Sequence, residues 1–368
     1  MKLRHAFSAA AVLVLSLGSA RAQTTLKEAF KDRFLIGVAV RPDQLTGDTT
    51  LLRTQFNSLT PENAMKWEAL HPRESEYRFE AADQIVSFGE KNGMFVIGHT
   101  LVWHSQAPAW LFKDASGNPV DRETLLARMK AHIQTVVGRY KGRVKGWDVV
   151  NEALEEDGTL RDSPWRKIIG DDYIAKAFEY AHEADPSAQL YYNDYGIEGG
   201  RKRDGAVKLL TQLKTSGVPI TGVGIQSHMT LTWPAIPVLD ETLTAFGRAG
   251  LKVMITELDI DVLPSRTSST SADVSRNEAA DPALNPYANG LPDAVQQSLA
   301  RRYAELFSLY GKHRGTVTRV TFWGLTDGDS WLNHWPIRGR TSHPLLFDRA
   351  GKPKPAFKAV LETATAGK

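Results

Sequence analysis

The chain has 368 residues, no cysteine, and 45 basic against 42 acidic residues, a formal net charge of +3. Without cysteine there is no disulfide framework and no thiolate chemistry, and the near-neutral balance argues against nucleic-acid or anionic-membrane partners, which need a basic surface excess. A chain of this length buries enough core to stand without staples, and an α/β barrel uses such a length as a single domain.

Met1-Lys2-Leu3-Arg4-His5 is a basic start, Ala6 to Leu17 is an apolar run too short to span a bilayer, and Ala20-Arg21-Ala22 has the small-x-small pattern of a cleavage site. In that order they read as a signal peptide over residues 1–22, with export to the medium or the periplasm. A buried amino-terminal helix or a membrane anchor is the competing reading. Cleavage removes Lys2, Arg4 and Arg21 from the 45 basic residues and none of the 42 acidic ones. The two signs are then equal, which suits a neutral substrate.

Eight short apolar, β-rich runs follow: Phe34 to Val40, Phe56 to Thr60, Phe95 to Thr100, Val144 to Val150, Leu190 to Asn193, Gly222 to Gln226, Lys252 to Thr256 and Val317 to Trp323. Helical spacing fills most of the intervals. In Arg122 to Tyr140 it is carried by Leu125, Leu126, Met129, Ile133, Val136 and Val137, and Ala175 to Ala184 and Ala206 to Leu213 read the same way. Strand–helix alternation implies a parallel sheet, and eight units favour closure into a (β/α)8 TIM barrel over an open doubly wound sheet. Residues 265–293 lack an apolar period and read as a long loop after the seventh strand, either touching substrate or decorating the surface. Helical pattern resumes at Ala294.

Seven of the eight runs lead into residues suited to binding or transforming a sugar. The second opens into Pro61-Glu62-Asn63-Ala64-Met65-Lys66-Trp67, and the third into His99-Thr100-Leu101-Val102-Trp103-His104. The fourth ends Asn151-Glu152, the fifth Asn193-Asp194-Tyr195 and the sixth Gln226-Ser227-His228, while Glu257-Leu258-Asp259 closes the seventh and Trp323 the eighth. In this fold the carboxyl ends of the strands form the catalytic face, so the clustering argues for one shared site. Taken singly, each residue has a structural alternative: a paired glutamate, a core histidine, a core tryptophan. A zinc site is disfavoured because the histidines are spread over separate strands without a short helical signature. Trp103, Trp323 and Trp331 among carboxylates and amides suit sugar rings, whose apolar faces stack on indole.

Glycoside hydrolysis needs two carboxyl groups flanking the scissile bond. Eight strands about 4.8 Å apart and tilted about 36° give a ring of radius ~7.5 Å. The ends of strands four and seven then lie roughly 14 Å apart at Cα, which leaves about 6 Å between the carboxyl groups of inward-facing Glu152 and Glu257. That spacing is competent, but it does not separate a retaining from an inverting pair.

Four of these segments, Thr60 to Trp67, Gly98 to His104, Trp147 to Ala153 and Ile255 to Asp259, resemble the glycoside hydrolase family 10 endo-β-1,4-xylanases, and the resemblance runs from about Leu26 to Leu361. It implies a retaining double displacement, with Glu257 as nucleophile and Glu152 as general acid/base, acting on xylan and xylo-oligosaccharides without cofactor or metal and as a monomer. Because Glu152 must start protonated, its pKa is expected to be raised by anionic Glu257 and by burial. The same mapping places Asn151 on the 2-hydroxyl of the reacting sugar, His228 on the nucleophile with Asp259 behind it, and Gln226 near Glu152. Glu62, Asn63, Lys66, His99, Trp103 and Gln106 resemble the glycone-side set, walled by Trp323 and Trp331, and Tyr195 an aglycone-side residue. Gly196 departs from the family, which often carries Asn there. A glucanase on the same barrel and a catalytically dead carbohydrate-binding barrel are the alternatives; the first turns on room for a C6 hydroxymethyl group, and retention of both glutamates argues against the second.

Overall fold

Each apolar run forms a strand in the computed structural model, which describes residues 24–265, 274 and 276–365. The signal-peptide reading falls outside those residues. The strands are β1 (Leu35–Val40), β2 (Ser58–Pro61), β3 (Phe95–Trp103), β4 (Gly146–Asn151), β5 (Gln189–Asp194), β6 (Gly222–Ile225), β7 (His228–Thr230), β8 (Lys252–Asp261) and β9 (Val317–Phe322). All neighbouring pairs are parallel, and pairing of β6 with β8 closes β1–β6, β8 and β9 into an eight-stranded barrel. The short β7, which no apolar run announces, adds to the outer length of β8.

Helices cover the barrel in the expected intervals, among them Glu80–Lys91, Arg122–Arg139, Tyr173–Ala184, Gly200–Thr215, Ile236–Arg248 and Asp293–Lys312. Arg122–Arg139 shows the local logic. Asp121 caps it by accepting from the Thr124 amide at 2.8 Å, supplying one of the partners that a first turn lacks. Its buried stripe is Leu125, Met129, His132, Ile133, Val136 and Val137; of the six apolar positions the spacing named, Leu126 is only partly buried. Each such apolar side chain contributes roughly 1.5–3 kcal/mol when fully buried. Among the described residues no helix is long and apolar enough to cross a membrane.

Inside the barrel, Ile97, Tyr191 and Met254 from alternate strands pack as one apolar layer, the arrangement a closed barrel favours. Other interior positions are polar: Arg319 donates to Ser58 Oγ at 3.1 Å, and Asp148 accepts from or pairs with His99 Nδ1 at 3.0 Å. Toward the carboxyl ends the register shifts between His99 and Val102, between Asp148 and Val150, and between Ile255 and Leu258. Such irregularities bend a strand and re-aim its side chains. They fall on β3, β4 and β8, which carry or lead directly into His99, Glu152 and Glu257.

The described part of the loop after β8 packs against the loop that follows β9. The Glu278 amide donates to the Pro336 carbonyl at 2.8 Å, and the Thr341 amide to Asn285 Oδ1 at 2.9 Å. Val274 reaches the rim of the cleft at the carboxyl ends of the strands.

Candidate active site

That cleft is lined by Glu62, Asn63, Lys66, His99, Trp103, Gln106, Asn151, Glu152, Gln226, His228, Glu257, Trp323 and Trp331, together with Val274. All but the last are residues singled out from sequence. Their convergence follows from the barrel, since eight strands deliver their carboxyl ends to one rim.

Glu152 follows the last residue of β4, and its φ is 56°. In a continuing strand, the residue after inward-facing Asn151 would point to the helix layer. The left-handed turn brings the carboxyl group into the cleft instead, at a cost of roughly 1–3 kcal/mol for a non-glycine residue. The turn is clamped on both sides: the Glu152 amide donates to the Asn193 carbonyl at 2.8 Å, and its carbonyl accepts from Arg161 Nε at 3.0 Å. Its carboxyl oxygens accept from Gln226 Nε2 (2.9 Å), Asn151 Nδ2 (3.1 Å) and Trp103 Nε1 (2.7 Å).

Glu257 sits across the barrel on β8. Asn193 Nδ2 donates both to its Oε1 and to Asn151 Oδ1, each at 2.9 Å, and Thr256 Oγ1 donates to Asn193 Oδ1 at 2.7 Å. A chain of two amides therefore spans the distance between the carboxyl groups and fixes their separation. Gly224 makes room for it, because a Cβ there would lie 2.3 Å from Asn193 Oδ1. The second Glu257 oxygen is 3.3 Å from His228 Nε2, while His228 Nδ1 is 3.0 Å from Asp259 Oδ1. Trp331 Nε1 donates to the other Asp259 oxygen at 2.8 Å, so the ring that walls the cleft also orients the carboxylate behind the histidine.

These partners push the two glutamates in opposite directions. Burial raises the Glu152 pKa to about 7, with Asp194 the leading charged contributor and Glu257 a smaller one; Gln226 and Trp103 pull the other way. Burial and Glu257 both act in the expected direction, and Asp194 at the end of β5 is a further, stronger charged neighbour. Burial also pushes Glu257 up, but the His228 hydrogen bond, the charges of His99 and His228 and the Asn193 hydrogen bond together outweigh it, and its pKa is lowered. Burial disfavours the charged form of His228, yet Asp259 and Glu257 lift it to about 10, so an imidazolium sits between two carboxylates at neutral pH. One buried acid is thus biased toward its protonated form and the other toward its ionised form.

The remaining polar residues form a second group at the end of β2. Lys66 Nζ donates to Asn63 Oδ1 (2.9 Å) and Gln106 Oε1 (3.1 Å), and lies 5.0 Å from the Trp103 ring centroid. Asn63 Nδ2 donates to Glu62 Oε1 at 3.2 Å, and Arg41 pairs with Glu62 at 3.5 Å. Burial lowers the Lys66 pKa, opposed by Glu257, Glu62 and Glu152. These donors and acceptors are fixed in place beside indole faces, a combination that matches the hydroxyl groups and apolar faces of a sugar. Among the described residues no group of three or more histidine, cysteine, aspartate or glutamate side chains is arranged to hold a metal ion.

Tyr195 is not brought to the cleft. It is 2% exposed, its hydroxyl accepts from Arg161 at 3.1 Å, and Lys202 Nζ sits 3.5 Å from its ring centroid. The ring packs among residues of the β4 and β5 loops, outside the lining of this cleft. Asp259 takes its expected place behind His228. Gly196, next to Tyr195, has φ 67°, a left-handed conformation that glycine adopts freely and asparagine also tolerates. Asp148 and Arg41 were not anticipated as site residues, and Asn193 was given no role of its own. Only Asn193 had a signal, its place at the end of the fifth apolar run.

Residues 25–363 match the model of glycosyl hydrolase family 10. The chain is 46% identical over 347 residues to endo-1,4-β-xylanase A of Xylanibacter ruminicola, covering 93% of this chain and 94% of that protein. A GH10 endoxylanase retrieved from sugarcane soil metagenome superposes with a TM-score of 0.90 at 48% identity, over 92% of this chain and 99% of that one. A solved mutant structure in complex with xylotriose superposes with a TM-score of 0.82 at 39% identity, over 92% and 99% respectively.

Proposed function

The chain belongs to glycosyl hydrolase family 10, and from that premise we propose that it is an endo-1,4-β-xylanase working by a retaining double displacement, with Glu257 as nucleophile and Glu152 as general acid/base. The observation that carries the division of roles is the opposite tuning of the two buried carboxyl groups. Glu257 is held ionised by His228 and aimed by Asn193, as attack on the anomeric carbon requires. Glu152, raised to about 7, carries the proton that the departing oxygen needs. Attack forms the bond from the Glu257 oxygen to the anomeric carbon as the glycosidic bond breaks and the Glu152 proton moves to the leaving oxygen. Esterified Glu257 no longer repels a second charge, and Gln226 and Trp103 donate to Glu152 as a carboxylate. It then takes a proton from the incoming water, whose oxygen displaces Glu257.

Asn151 and the group around Lys66 would hold the sugar on the glycone side, with Asn151 on the 2-hydroxyl, where contacts strengthen in the transition state. Xylan is favoured as substrate by the names of the relatives and by the close indole walls, which suit a sugar without a C6 hydroxymethyl group. The amino-terminal segment would export the enzyme, and a neutral mature chain would meet the polymer as a monomer.

Release of reducing sugar from xylan and from carboxymethylcellulose, with early products resolved, tests the substrate. Mixed xylo-oligosaccharides from xylan and little release from the cellulose derivative are expected; xylose alone, or preference for the cellulose derivative, would refute the reading. The acid/base pair also sets a pH profile. For an unactivated xylo-oligosaccharide, kcat/KM should rise as Glu257 ionises, below the usual carboxylic range, and fall near pH 7 as Glu152 loses its proton. A basic limb at pH 5 would contradict the state assigned to Glu152.

A further inference from the structure

We propose that Glu198 is a positioning residue that aligns both catalytic carboxyl groups at once, by holding the left-handed turn at Ser227 from which Gln226 and His228 project. The inference rests on the roles given above to Glu152 and Glu257.

The geometry begins where β6 ends. Ser227 has φ 66° and is fully buried, and its neighbours on either side reach different glutamates. Gln226 Nε2 donates to Glu152 Oε1 at 2.9 Å, and His228 Nε2 is 3.3 Å from Glu257 Oε2. In an unbroken strand, residues 226 and 228 would face the same side, two positions apart and in one line. The turn between them separates their directions, so one backbone conformation serves both acids. Left-handed backbone is unfavourable for serine and persists only where its surroundings hold it.

Glu198 supplies that hold. Its Oε1 accepts the Ser227 amide at 2.9 Å, and its own carbonyl is fixed by Thr242 Oγ1 at 2.7 Å. The side chain is 1% exposed, and its Oε2 has no hydrogen-bond partner in the structure. A buried carboxyl group of this kind is costly, so a hydrophobic residue would serve packing better; the residue is explained by the amide it accepts. Facing it are His228, Lys202 from the following helix and Tyr310 from Asp293–Lys312. Glu198 lies outside the cleft lining, so it acts through Ser227 and not on the sugar.

The test is Glu198→Ala against Glu198→Gln, measured on xylo-oligosaccharide and over a pH series with circular dichroism as a folding control. Glutamine keeps an oxygen for the Ser227 amide and should hold kcat within about threefold. Alanine removes it. Glu152 then loses the Gln226 donor and Glu257 the His228 donor, each of which favours the ionised form. Both limbs of the kcat/KM profile should move to higher pH together, with kcat at least tenfold lower and KM changed less than threefold. A merely structural residue would lower the melting temperature without moving the limbs. Wild-type limbs in a folded Glu198→Ala variant, or a Glu198→Gln variant as damaged as the alanine one, would overturn the proposal. Should the alanine variant not fold, Glu198→Asp retains the acid but falls one methylene short, and it must show the same paired shift. The wild-type profile and the nucleophile and acid/base variants report separately on the assigned roles, so failure of the alignment is distinguishable from failure of those roles.

Discussion

Glu257→Ala is expected to lower kcat on every β-xyloside by on the order of 10⁴-fold or more, whatever the leaving group. The variant removes the only atom that bonds to the anomeric carbon in both steps. A better leaving group cannot compensate, because the deficit is in the attacking side of the displacement. The surroundings sharpen this expectation. His228, lifted to about 10, would be left beside Asp259 with no carboxylate at Nε2, and Asn193 Nδ2 would lose one acceptor. Those groups serve the ionised nucleophile, so their presence without it adds nothing. Steady-state rates on xylan and on an activated aryl xylobioside should fall in parallel. A variant that kept the aryl substrate while losing xylan would assign Glu257 the wrong role.

Glu152→Ala should behave differently, and the difference is the second large effect. Protonation of the departing oxygen contributes about 10²–10⁴-fold when the leaving group is a sugar and little when it is a good aryl leaving group. Xylan hydrolysis should therefore fall by roughly that factor. With the aryl xylobioside the first step should stay fast, and the second should become slow for want of a base, so a burst of phenol precedes a low steady rate. The raised pKa of Glu152 strengthens the contrast with Glu257, because at and below about pH 7 a large share of the group carries its proton before substrate arrives. Loss of the burst with unchanged leaving-group dependence would contradict it.

Much of the fold is legible because barrel strands buried on both faces read as continuous apolar runs. Val317 to Phe322 and Gly222 to Ile225 were expected within one residue of their observed ends. What was not legible lies where hydrogen bonds, not apolar period, decide the path. β3 and β8 continue to Trp103 and Asp261, past the polar residues that end the apolar runs, and β7 has no apolar signal. The left-handed turns at Glu152 and Ser227 occur at residue types that do not announce them. Thirteen of the predicted site residues converge because strand ends could be located. Tyr195 lies outside that lining because side-chain direction at a strand end is set by tertiary partners, here Arg161 and Lys202. The ranking of Asp194 above Glu257 as a neighbour of Glu152 likewise needs distances that no spacing supplies.

The account stands or falls on the separate roles of the two glutamates, and azide reports on them directly. Incubated with an activated aryl xylobioside, Glu152→Ala should be rescued by azide and should yield the β-xylobiosyl azide. Azide would then have attacked the covalent intermediate on Glu257 from the face the leaving group vacated. Formation of the α-azide from that variant, or no rescue at all, would contradict the assignment.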